Sequence, residues 1–181
     1  MKKSGIYVAV ITLALAALLV GTYATAGPGK KSVKTDLSGY LEPPSISTTG
    51  SGKFEATIDD ATKAIHWTLS YATLDSPAAP TQAHIHFGQR SVNGGISVFL
   101  CSNLPSPPPG TQPCPAPPAT ISGTATPDSI IGPNGQGMEP EAFEELVAAI
   151  RAGRTYANVH STRFPGGEIR GQINDDNQRD D

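Results

Sequence analysis

Apolar and polar residues alternate with a period of two along much of this chain. Val33, Thr35, Leu37, Gly39 and Leu41 fall on one side of such a pattern and Lys34, Asp36, Ser38 and Tyr40 on the other, until Pro43-Pro44 stops it. Phe54, Ala56 and Ile58 resume the pattern after Gly50-Ser51-Gly52, and Ile65, Trp67, Leu69 and Tyr71 resume it after the turn Asp59-Asp60-Ala61-Thr62. Side chains two apart on a strand share a face, so each run predicts a half-buried strand and the three together an antiparallel meander. Trp67 lies on the apolar side and is expected in the core, whereas His66 points the other way and is expected on the surface.

Residues 83–87 predict a fourth strand, with Ala83, Ile85 and Phe87 on one face and His84 and His86 on the other. After Asn93-Gly94-Gly95, residues 96–100 predict a fifth, with Ile96, Val98 and Leu100 inward, and 119–126 a weaker sixth closed by Pro127. Residues 156–160 and 168–173 flank Pro165-Gly166-Gly167 and predict a hairpin. If His160 sits opposite Glu168, then Asn158 faces Arg170 and Tyr156 faces Gln172, and one face carries Asn158, His160, Glu168, Arg170 and Gln172.

The period changes once. Phe143, Leu146, Val147 and Ile150 recur at helical spacing, Pro140 suits a first helical position, acidic residues load the first turns, and Gly153 follows Arg151. These signals predict one short helix over about 140–152 that docks its apolar stripe on the sheet. The pattern as a whole predicts a mainly β, antiparallel fold with a single helix.

Composition agrees: charged residues make up only 16%, and the 19 Gly and 17 Pro suit short strands joined by turns. Lys2 and Lys3, an apolar run from Ile6 to Val20 and the small-residue site Ala24-Thr25-Ala26 make residues 1–26 an expected signal peptide, or an N-terminal anchor if uncleaved. Residues 27–32 read as a polar linker and 175–181 as a disordered acidic tail. Formal net charge is −3, and removal of Lys2 and Lys3 with the leader makes it −5, which argues against nucleic acid as a partner. A membrane enters only if the leader is retained. Cys101 and Cys114 are the only cysteines, and in an exported chain they are expected to pair. They bracket most of a Pro-rich stretch, 102–118, that can form neither helix nor central strand.

The blocks Ala83-His84-Ile85-His86-Phe87-Gly88, Asn93-Gly94-Gly95, Tyr156-Ala157-Asn158-Val159-His160-Ser161 and Pro165-Gly166-Gly167-Glu168-Ile169-Arg170-Gly171-Gln172-Ile173, in that order, resemble the CHRD domain, named for chordin. The resemblance covers about 33–174, with 102–118 as a loop insertion. It implies an exported, antiparallel immunoglobulin-like, Greek-key β-sandwich and brings no general enzymatic activity. The function it implies is that of an extracellular or cell-surface binding or structural module, its partner an unidentified protein or small ligand.

The residues themselves raise an alternative. Histidines two apart on a strand have Cβ atoms ~7 Å apart on one face, so His84 and His86 can share a metal, and His160 would complete a set suited to copper or zinc. Against it stands a structural reading in which Asn158, Glu168, Arg170 and Gln172 form a polar network with the imidazoles as hydrogen-bond partners. The pattern also resembles copper/zinc superoxide dismutase, but no histidine lies between His86 and His160 to complete that enzyme's ligand set. Ser161 and Thr162 lack the strand-turn-helix setting of a nucleophile, so no catalytic residue is expected.

Overall fold

The structure, a computed structural model, describes residues 32–75 and 78–173. The leader at 1–26, most of the linker and the tail at 175–181 lie outside these residues. Among the described residues there are eight strands: β1 (Ser32–Ser38), β2 (Ser51–Asp59), β3 (Ala64–Thr73), β4 (Gln82–Phe87), β5 (Gly95–Ser102), β6 (Ala119–Ala125), β7 (Thr155–His160) and β8 (Ile169–Gln172). All pair antiparallel, in the order β5-β4-β7-β8-β1-β2-β3-β6. The fold is thus mainly β, as the alternation predicts.

The strands form one eight-stranded sheet with two halves, β5-β4-β7-β8 and β1-β2-β3-β6. The register that joins them is a single pair, Ser38 with Arg170. Gly171 explains how the two come so close: a Cβ there would lie 2.2 Å from the Asp36 carbonyl oxygen. The inward residues of both halves merge into one core, with Phe54, Ile58, Ile65, Leu69 and Trp67 from one and Ile85, Val98, Leu100, Val159 and Ile169 from the other. β1 begins at Ser32, the last residue assigned to the linker, and ends at Ser38, where Ser38 Oγ accepts from Tyr40 N and turns the chain. In β5 only Val98 and Leu100 of the expected inward set are fully buried, because register shifts against β4 turn Ile96 partly outward.

The helix α1 (Phe143–Arg151) is shorter than the sequence suggests. Its first turn does not reach Pro140 because Glu141 adopts φ 65°, a left-handed conformation that cannot continue a helix backward. The apolar stripe is nevertheless as expected: Phe143, Leu146, Val147 and Ile150 are all buried in the core, each worth about 1.5–3 kcal/mol. Lys63–Glu144 and Arg151–Asp60 ion pairs attach the helix to the β2–β3 turn. That turn is held by Asp59 Oδ1, which accepts from the Ala61 and Thr62 amides.

Cys101 and Cys114 form a disulfide with Cα atoms 5.0 Å apart. The Pro-rich stretch it anchors is further pinned by Asn103, which donates to Pro80 and Cys114 carbonyls and accepts from Cys114 N, and by Tyr71, whose hydroxyl donates to the Pro115 carbonyl. Among the described residues no helix is long and apolar enough to cross a membrane.

Candidate functional site

Strand parity decides which side chains can meet. In β4, β7 and β8 the residues Ala83, Ile85, Ala157, Val159, Ile169 and Gly171 face the core, which leaves His84, His86, Tyr156, Asn158, His160, Arg170 and Gln172 on the outer face of that half of the sheet. The pairings are His84 with Asn158, Gln82 with His160, His86 with Tyr156, Tyr156 with Gln172 and Asn158 with Arg170. Half-buried strands would leave this face wet. Here it is covered by the chain around 39–46, 88–94 and 161–167, so that every residue of β7 and β8 is buried on both faces.

The polar residues of the hairpin each tie down one of these covering segments. Arg170 donates to the Val92 carbonyl and to Asn93 Oδ1, Gln172 to the Gly88 and Gly153 carbonyls, and Asn158 to Glu42 Oε1. Glu168 leaves the group: its Oε1 accepts from Thr48 Oγ1 at 2.7 Å and from the Asp75 amide at 2.6 Å. Arg170 therefore grips a loop where the sequence suggests Glu168 or a histidine as its partner. Burial pushes the Glu42 carboxyl up to about 7, with the Arg170 guanidinium and the Asn158 amide pulling the other way.

Beneath this cover the three imidazoles converge. Each of His84, His86 and His160 offers one ring nitrogen, and these nitrogens all lie within 4.8 Å of one another. Ring centroids are 5.2 Å apart for His84–His86, 5.1 Å for His84–His160 and 6.2 Å for His86–His160. Two of the rings are oriented from behind by backbone carbonyls: His86 Nδ1 is 3.0 Å from the Gly94 oxygen and His160 Nδ1 is 2.9 Å from the Pro165 oxygen. A carbonyl only accepts, so both Nδ1 atoms carry the proton and both Nε2 atoms keep a lone pair. His86 Nε2, His160 Nε2 and both nitrogens of His84 are buried with no hydrogen-bond partner among the described residues.

The walls are aromatic. Phe99 meets His84 edge to face at 4.4 Å, and Tyr156 stacks parallel on His86 at 4.7 Å. The Arg170 guanidinium carbon lies 3.4 Å from the centroid of the Tyr156 ring. Burial drives the imidazoles toward neutrality: His84 falls to about 2, His86 to about 4, and His160 falls as well, with neighbouring rings adding to the effect at His84. Neutral imidazole is the ligating form.

Three parts of the site escaped the sequence reading. Gly94 appears there as a turn residue, yet a Cβ on it would lie 1.7 Å from the Phe87 oxygen, and only its absence lets the loop bring the Gly94 carbonyl onto His86. Tyr156 carries no signal beyond its register with Gln172, and Glu42 reads as the residue before a strand stop. His66 stays outside the cluster, exposed, with Nδ1 3.0 Å from Thr124 Oγ1.

An antiparallel β fold whose outer face buries a polar hairpin and clustered histidines under loops defines the class of this protein. The CHRD domain family matches residues 33–173, and the chain belongs to that family. No curated protein and no solved structure matches it.

Proposed function

We propose that this chain is an exported CHRD domain that acts as a metal-binding module, holding one copper or zinc ion on His84, His86 and His160. The observation that carries the reading is His84. It is wholly buried, and neither ring nitrogen has a partner among the described residues. A buried polar group without a partner costs about 1–3 kcal/mol, a cost that a bound ion on the ring nitrogen would offset.

The geometry fits a metal. Bonds of ~2.0 Å place three ligand nitrogens roughly 3.3–3.5 Å apart, and those of the present cluster lie within 4.8 Å of one another. The Gly94 and Pro165 carbonyls supply the outer hydrogen bonds that ligating histidines use to fix tautomer and direction. Export is supported by the apolar leader at 6–20 and agrees with the disulfide.

A second reading, recognition of an extracellular protein or small ligand, draws on a cleft of about 330 Å³ beside the site. Its walls include Glu42, Asn93, Arg163, Phe164 and Pro165, three of which hydrogen-bond the buried network.

Thermal melting of chelator-treated protein tests the metal reading. Addition of copper or zinc at 100 times Kd is expected to stabilise the fold by about 2.7 kcal/mol and to raise Tm by several degrees. Unchanged melting with both ions would overturn it.

A further inference from the structure

The charge around the cluster bears on which ion it takes. We infer that the site is built for monovalent copper, Cu(I), in preference to a divalent ion; this rests on the metal reading above. The ligand set is three imidazoles, each neutral, and among the described residues no carboxylate or thiolate joins the group that can reach one ion. A divalent ion placed there would keep its full charge in a buried pocket, where desolvating an ion costs several kcal/mol unless opposite charge compensates.

Glu168 directs Oε1 to Thr48 and the Asp75 amide and keeps Oε2 buried without a partner among the described residues, while Glu42 accepts from Asn158; neither carboxylate belongs to the group that can reach one ion. The fixed charge in the wall has the wrong sign for a dication: Arg170 lies over Tyr156, and Tyr156 stacks on His86. Repulsion between that guanidinium and a bound ion doubles when the ion's charge doubles.

Coordination number points the same way. Zinc takes four ligands, and with three from protein it needs water or an anion in the fourth position. Here all three histidines are buried and Phe99 and Tyr156 close against His84 and His86, which favours an ion satisfied by three nitrogens. Cu(I) is such an ion, with a filled d shell and no demand for a fourth ligand. Its single charge suits three neutral donors beside a cation.

Competition titrations of the whole exported protein test this, under anaerobic conditions with ascorbate. Cu(I) is supplied against bicinchoninate and Zn(II) against a chromophoric zinc chelator. Tighter 1:1 binding of Cu(I) than of Zn(II), by about a hundredfold or more, is expected, a margin of two factors of ten at ~1.4 kcal/mol each. Zinc binding as tight as copper, or tighter, would overturn the Cu(I) inference and leave the metal reading standing. Binding of neither would overturn both. A second arm uses Arg170→Met, which keeps the stem and removes the charge. Zinc affinity is expected to rise about tenfold and Cu(I) affinity about threefold, because the lost repulsion scales with ion charge. Equal shifts for both ions would contradict the electrostatic basis. Should the variant fail to fold, the wild-type comparison decides alone.

Discussion

His84 differs from its two partners in having no carbonyl behind it. His86 and His160 each satisfy one nitrogen on a loop backbone, whereas His84 is enclosed by Phe99 and by the other two rings. A purely structural role and a ligating role then predict opposite effects for His84→Leu. In metal-free protein the substitution removes an unpartnered buried polar group and keeps most of the volume, so stability is expected to hold or to rise by about 1 kcal/mol in urea unfolding. Loss of 2 kcal/mol or more would identify the imidazole as a structural member of the network. The sequence makes the three histidines visible because residues two apart share a strand face. It does not make Gly94 and Pro165 visible, since both act through backbone carbonyls, which every residue has.

At the scale of elements, the β7–β8 hairpin is the fastening of the site. Alternation shows which residues share a face, and the register that follows from setting His160 opposite Glu168 pairs Tyr156 with Gln172 and Asn158 with Arg170, as the structure does. What alternation could not show is that both faces of the hairpin are buried, because the covering segments at 39–46 and 88–94 come from distant parts of the chain. The helix start was misjudged for a local reason: Pro140 satisfies a common first-turn preference, but the left-handed Glu141 forces the helix to begin later. The Cys101–Cys114 bridge was legible from the cysteine count together with the expectation of export, and it fastens the end of β5 to the Pro-rich stretch. Replacing both cysteines by Ser is expected to cost about 2–4 kcal/mol, read as a lower urea midpoint with little change in m. A loss under about 0.5 kcal/mol would mean that Asn103 and Tyr71 already hold the stretch without it.

For the whole molecule, the buried ionisable groups set how stability depends on pH. The three histidines titrate lower in the fold than the ordinary 6.5, so the unfolded chain binds the extra protons in acid. Their contribution is full above 6.5 and is lost as pH falls below it, by up to ~1.4 kcal/mol per pH unit for each proton. Glu42 acts in the opposite sense, since its folded value near 7 exceeds the ordinary 4.5. Between those two values the fold holds a proton that the unfolded chain has shed, and its contribution falls as pH rises. Three histidine protons outweigh one carboxyl proton on the acid side, and both effects are spent above about 7, so metal-free protein is expected to gain stability as pH rises to about 7 and to level off there. In Glu42→Gln the acid limb should steepen, because the opposing carboxyl proton is gone. An unchanged profile would show that Glu42 ionises freely in the fold.

An ion on His84, His86 and His160 is what we propose, and elemental analysis of the protein after reconstitution, run beside a variant with all three replaced by Ala, tests it most directly. The expected result is a single copper or zinc ion per wild-type chain and less than ~0.1 equivalent in the variant. Less than ~0.1 equivalent in both, or equal loading of the two proteins, would contradict the account.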